Sequence, residues 1–295
     1  MPRSSTYEVV LDASLFTPDR LQPTAVGRLA FQAGTRWLRD HVCGHRTLVS
    51  EHRVGFVLWA WQLEYDQPLR FHDADEARVE VRARVRGPRA SQLEMEMTVS
   101  GPAGVAVRTR AASVPLRLTG DQALSGAPTT LPDSFVAGFH DDEVERSPYL
   151  SPVRGLLGAF EREGERIASH TTTFRVHRHH CEVADQWYWV ESLGFAGGAR
   201  EECVLRHGGS APELRRALAE GIRRVDATWL RAGQLWDLLR VRTTAYRHGG
   251  DLAFVHELGL ADDGGSGGDS GDSGDSGDSS EGFDGGPYAI VVERV

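Results

Sequence analysis

The sequence predicts an α+β protein made of two copies of one plan, with an antiparallel sheet wrapped around a long central helix in each. Three observations carry this. Leu29-Ala-Phe-Gln-Ala-Gly-Thr-Arg36 returns as Leu193-Gly-Phe-Ala-Gly-Gly-Ala-Arg200, with four of eight positions identical at an offset of 164. Asp75-Glu-Ala-Arg-Val-Glu-Val-Arg82 has an echo 162 residues on in Asp237-Leu-Leu-Arg-Val-Arg-Thr-Thr244. Two echoes in the same order argue for internal duplication. Third, Val79, Val81, Ala83 and Val85 alternate with charged residues, as do Leu93, Met95, Met97 and Val99 with polar ones, so one sheet face is wet.

Taken in order, Thr6 to Leu11 reads as a strand, and Thr17-Pro18 and Gln22-Pro23 mark a loop before a helix from Thr24, a plausible cap, to His41. Small residues among Leu29, Phe31 and Arg36 suit a helix pressed closely against a sheet. Strands are expected at Val49 to Tyr65, Ala77 to Arg86, Gln92 to Ser100 and Val105 to Leu118, divided by Asp66-Gln67-Pro68, Gly87-Pro88 and Gly101-Pro102. The second copy offers a short helix from Pro152 to Arg166, a strand to His177 and a helix from about Asp185 to Arg206. Leu214, Leu218 and Ile222 give a helical spacing over Pro212 to Arg224, and strands follow at Leu235 to Arg247, Asp251 to Leu260 and Tyr288 to Val295. The expected division is a first unit over 1–120, a connector over 121–165 and a second unit over 166–295. A Gly-Asp-Ser insertion at 262–286 has too few apolar residues to offset its ordering entropy and reads as a disordered loop.

The formal charge is −9, but eight acidic residues lie between Asp262 and Asp284, and the rest of the chain is near −1. With no basic stripe carrying interleaved aromatics, nothing argues for a nucleic-acid partner. All 33 cationic side chains are arginine, which excludes a Walker-type phosphate loop and any lysine base or Schiff base. Three widely spaced cysteines (Cys43, Cys181, Cys203) support neither a disulfide framework nor a cysteine zinc site. No run of about 18 apolar residues occurs, so no membrane span is expected and the cytoplasm is the default location.

Gln62-Leu-Glu-Tyr-Asp-Gln-Pro-Leu-Arg70 through Asp75, matched by Trp229-Leu-Arg-Ala-Gly-Gln-Leu-Trp-Asp-Leu-Leu-Arg-Val-Arg-Thr243, resembles the strand, turn and acidic strand start of the hot-dog thioesterase superfamily. The resemblance covers about 230 residues and implies a double hot-dog. Hydrolytic members carry an acidic residue and a Gly-His-Val-Asn-Asn-like loop before the helix; here the loops read Pro18-Asp-Arg-Leu-Gln-Pro-Thr24 and His179-His-Cys-Glu-Val-Ala-Asp-Gln186. Within the superfamily the chain resembles the fused thioesterase-like enzymes of actinobacterial polyketide and lipopeptide pathways. That implies aza-Michael addition of glycine, or another small amine, to a 2-enoyl thioester on an acyl carrier protein, with no cofactor. A homodimer is compatible with it. The alternatives are thioester hydrolysis with Glu182 or Asp185 activating water, a 3-hydroxyacyl dehydratase, and a non-catalytic acyl-binding protein.

Glu257 is the first catalytic candidate. Its echo position is Thr98, so it would arm one copy only, and desolvation would raise its pKa toward neutrality; otherwise it is a rim glutamate paired with an arginine. His52, beside the long first-unit strand, is the second, as a hold on the thioester carbonyl or a proton relay, or else a solvated loop residue. Trp59, Trp61, Trp187, Tyr188 and Trp189 either line an acyl tunnel or fill the core. Arg206, Arg215, Arg216, Arg223 and Arg224 form either a dock for an acidic carrier or a solvated helix face. His177, His179 and His180 lack a fixed carboxylate partner, so no metal is expected.

Overall fold

The computed structural model describes residues 3–87, 91–119, 126–136, 152–182, 185–261 and 286–295. The first half runs β1 (Arg3–Val10), α1 (Pro23–His41), α2 (His45–Ser50), β2 (Val54–Tyr65), β3 (Glu76–Arg86), β4 (Gln92–Gly101) and β5 (Gly104–Leu118). Between the halves lie β6 (Gly126–Pro128), α3 (Asp133–Val136) and α4 (Pro152–Glu163). The second half runs β7 (Glu165–Arg175), α5 (Glu191–His207), α6 (Pro212–Glu220), β8 (Arg224–Trp229), β9 (Leu238–His248), β10 (Asp251–Leu260) and β11 (Ala289–Arg294). The Gly-Asp-Ser insertion, apart from Gly286, and much of the connector fall outside the described residues.

Both halves have the same topology. The strands order as β1-β3-β4-β5-β2 and then β8-β11-β10-β9-β7, so the second half repeats the first, turned about. The two half-sheets join edge to edge through antiparallel β2 and β8 to make one eleven-stranded sheet, with β6 on β5. Joining the halves removes two open edges at once. The sequence echoes fall at equivalent places: Leu29 and Leu193 in the central helices, and Asp75 and Asp237 immediately before β3 and β9.

Each central helix lies in the curve of its own half-sheet, with Ala33 on α1 and Ala196 and Ala199 on α5 fully buried. Where the helices approach each other, a Cβ on Gly27 would come within 3.2–3.3 Å of Val190 and Trp189. Pro23 occupies the first turn of α1, where its missing N–H costs nothing. The cap position is Gln22 and not Thr24, whose hydroxyl donates to the Gln22 side chain. At the β9–β10 hairpin, Gly249 (φ 61°) and Gly250 (φ 92°) supply the positive φ values that two-residue turns require.

Three elements differ from the sequence reading: α5 starts at Glu191 and not near Asp185, because Gln186 and Trp187 are held in extended bridges, and two more differ in type. The run from Val49 is not all strand: α2 occupies His45–Ser50 and β2 starts at Val54. A six-residue helix is too short to show apolar periodicity. Its counterpart α6 ends at Glu220, and a strand, β8, follows where the spacing of Ile222 suggested continued helix. Gly221, at φ 74°, makes that break.

Candidate functional site

A cavity of about 510 Å³ lies in the first half, between α1 and its sheet. Its deep wall is the apolar face of the strands, with Val81 on β3, Met95 and Met97 on β4, and Thr109 and Ala111 on β5; Gly34 and Leu38 close it from α1. Its mouth is set by the seam. β2 pairs with β8 only over Ala60 to Glu64, so the earlier part of β2 stands apart, and a bulge at Trp59 breaks its register with β5. Val57 and Trp59 are exposed there and line the cavity, opposite Leu230, Arg231 and Ala232.

The remaining wall comes from the second half. The segment leading into α5 is tied down by bridges pairing Cys181 with Trp187 and Gln186 with Gln234. The Glu182 N–H donates to Gln186 O at 2.9 Å and the Asp185 N–H to Glu182 O at 3.1 Å. Asp185 closes this turn at φ 55°, a conformation aspartate tolerates better than most residues. Glu182 lines the cavity, while Asp185 lies outside it, paired with Arg178 at 2.7 Å.

Among the described residues Glu182 is the one carboxylate on the cavity wall. Burial raises its pKa above the ordinary glutamate value. His45, at the start of α2, also lines the cavity, and burial lowers its pKa, favouring the neutral imidazole. Tyr188 is pushed up, first by burial, against the opposing charge of Arg28 and with smaller help from Glu191 and Glu182. Its ring meets Phe31 edge-on at 5.4 Å, and Phe31 meets His45 at 6.4 Å, so the phenol and the imidazole flank one ring on the wall of the cavity that Glu182 also lines. An acid pushed up and a base pushed down in one apolar cleft is a pattern that suits proton transfer near neutrality.

Among the described residues, buried side chains fill the equivalent position of the second half. Val81, Met97 and Thr109 form a row across the first half-sheet, and Thr243, His256 and Val291 form the matching row in the second. His256, fully buried, lies 2.8 Å from Thr243 Oγ1 and 3.2 Å from Glu293 Oε2; Arg200 of α5 donates to the same oxygen at 2.6 Å. Glu293 takes the place of Ala111. An ionic cluster thus occupies in one copy what is open and apolar in the other.

The sequence candidates divide accordingly. Trp59, Trp61, Trp187, Tyr188 and Trp189 all line the cavity. Glu257 does not: it lies on the face of β10 away from α5, partly exposed, and Arg242 donates to it at 2.6 and 2.9 Å. Of the neighbours His256 and Glu257, the histidine is the sequestered one. His52 falls in the turn between α2 and β2, exposed, its ring 4.8 Å from Phe135, and it does not line the cavity. Arg206, Arg215, Arg216 and Arg223 are exposed on the second half away from the mouth, and Arg224 is inside the seam, bound to Glu64 and Asp226. The cation on the cavity wall is Arg231; Arg36 and Arg39 line a recess of about 350 Å³ that shares Phe31, Thr35 and His45 with the cavity. His180 Nδ1 accepts the His177 N–H at 3.0 Å, giving that ring a capping role, and no described group of His, Cys, Asp or Glu is placed to hold a metal. His45 and Arg231 were not singled out in the sequence; recognising α2 as the counterpart of α6 would have pointed to the former.

This architecture is a double hot-dog, and it is shared along the whole chain with solved thioesterase structures. A candidate oleoyl thioesterase from Lactobacillus plantarum superposes with a TM-score of 0.69 at 10% identity, over 99% of this chain and 95% of that one. The 12:0-ACP thioesterase of Umbellularia californica gives 0.61 at 9% identity, over 98% and 96%. An acyl-ACP thioesterase from Bacteroides thetaiotaomicron gives 0.59 at 12% identity, over 98% and 96%. No family model and no curated protein sequence matches the chain. At these identities the likeness establishes the fold. No described helix is long and apolar enough to cross a membrane.

Proposed function

We propose that the protein hydrolyses acyl thioesters, holding the acyl chain in the first-half cavity and activating water with Glu182 from the second half. The observation that carries this is the position of Glu182, a carboxylate raised by burial on the wall of an apolar cavity of ligand size. As carboxylate it accepts a proton from water while the water oxygen bonds to the thioester carbonyl carbon. Neutral His45 donates a hydrogen bond toward the oxyanion that forms. The carbon–sulfur bond then breaks, and protonated Glu182 returns its proton to the departing thiolate. Two of the structural neighbours are named as acyl-ACP thioesterases, which supports an acyl carrier protein as the donor of the chain.

A second reading keeps the site and changes the reaction. In it Arg231 of the cavity wall would hold the carboxylate of glycine, and Glu182, instead of Glu257, would take a proton from its ammonium before the amine adds to a 2-enoyl thioester. One experiment separates the readings. The protein is incubated with saturated and 2-enoyl thioesters on a carrier protein, with and without glycine, and the products are weighed by mass spectrometry. Free acid and thiol, lost in Glu182→Gln, support hydrolysis; a glycine adduct supports addition; intact substrate with measurable binding supports a non-catalytic acyl carrier.

A further inference from the structure

We infer that Met95, seated against Gly34, sets the length of acyl chain the cavity accepts; this rests on the cavity being the acyl site proposed above. Leu93, Met95 and Met97 project from the same face of β4 into the cavity. Leu93 and Met97 are buried at 2% and 3% exposure, whereas Met95 keeps accessible surface, so its side chain stands in the open part of the space. Its flanking residues lie about 7 Å to either side along the strand, and both line the cavity, which places Met95 within the space and not at one end.

The side chain reaches from the sheet to the helix. A Cβ built on Gly34 would fall 2.9 Å from the Met95 sulfur and 3.5 Å from its terminal methyl. Glycine is a poor residue for the middle of α1, and close approach of the thioether accounts for its presence. In the second half the position matching Met95 is Phe254, fully buried beside the ionic cluster. The first half has instead a flexible, unbranched side chain that can adapt to a ligand.

At about 510 Å³ the cavity is within the size range of small-molecule sites. With Met95 standing across it, the usable length is shorter.

The test measures binding and turnover separately across a homologous series of saturated acyl chains. Binding is read from quenching of tryptophan fluorescence, Trp59 and Trp61 lying on the wall, with non-hydrolysable acyl-pantetheine thioethers. Turnover is read from thiol release with the matching thioesters. Met95→Ala should shift the preferred chain longer by roughly the three heavy atoms removed. Met95→Phe and Gly34→Ala, the latter by displacing the thioether, should shift it shorter. Circular dichroism confirms that each variant is folded, and Met95→Leu serves as the near-isosteric control with an unshifted profile. Identical binding profiles in wild type, Met95→Ala and Met95→Phe overturn the assignment. Shifted binding with no turnover by any form upholds the assignment and removes the hydrolase reading; turnover with unshifted profiles does the reverse.

Discussion

Gln62 Nε2 donates to Asp226 Oδ1 at 2.8 Å, and the two residues face each other in the β2–β8 register at the 164-residue offset of the helix echo. They are therefore equivalent positions of the two copies, and the pseudo-twofold axis of the molecule passes between them. Asp226 is fully buried and also accepts from Arg224 at 2.8 and 3.0 Å and from Arg294 at 3.2 Å. Asp226→Ala strands three donors in the seam. Because the two guanidinium groups are each about 30% exposed, water recovers part of the loss, and the expected cost is about 2–3 kcal/mol. Gln62→Ala removes one neutral donor and should cost about 1 kcal/mol beyond its packing. Urea midpoints at constant m-value give both numbers.

The second buried cluster predicts an acid limb of stability. Burial alone would raise Glu293, but the Arg200 guanidinium and the hydrogen bond and charge of His256 outweigh it and hold the carboxyl at about 2. A depressed acid contributes stability above its unfolded pKa, near 4.5, and loses it as pH falls through the folded value. Between pH 4.5 and about 2 the wild type should therefore lose about 3 kcal/mol that Glu293→Gln never has. At neutral pH that variant should be destabilised by about 3–5 kcal/mol, because Arg200 is left buried without its partner. Denaturation at a series of pH values measures both.

The repeat was legible because helix packing and strand starts constrain residue type strongly: Leu29, Phe31, Gly34 and Arg36 reappear in α5, and the Asp75 pattern reappears before β9. The cavity aromatics were legible for a weaker reason, since five large rings near two equivalent strands and one loop had either to fill the core or to border a space. The carboxylate was harder. Both faces of β10 are mostly apolar, which predicts that at least one of His256 and Glu257 is sequestered but not which; one face packs under α5 and the other meets α4 only in part, leaving room for the ion pair of Glu257 with Arg242. Strand alternation shows that two faces exist but not which one a helix covers. Glu182 sits in a short irregular turn, where no periodicity exists to read.

Glu257→Gln provides a direct check on that lesson. Its carboxylate is a quarter exposed, paired with one arginine and outside the cavity. Turnover and chain-length preference should both stay at wild-type values. Stability should change by less than about 1 kcal/mol, the usual scale for a partly exposed pair. A loss of activity without a loss of folded protein would return Glu257 to the reaction.

Glu182 makes the opposite prediction, and its sign follows from its environment. Water activation needs the carboxylate form, so the rate should fall tenfold per pH unit below the pKa of Glu182. Burial raises that pKa, so the acid limb of kcat should lie above the ordinary glutamate value of 4.5. Glu182→Gln should lower kcat by about 10²–10⁴-fold and abolish the limb, with binding of a non-hydrolysable thioether unchanged. Because folding with a desolvated carboxylate is unfavourable at neutral pH, this variant should be at least as stable as wild type, which separates loss of chemistry from loss of fold. His45→Gln should reduce kcat but leave the position of the acid limb where it was, since the imidazole is held neutral by burial and the titrating group is the Glu182 carboxyl. An acid limb that persists in Glu182→Gln and vanishes in His45→Gln would exchange the two roles.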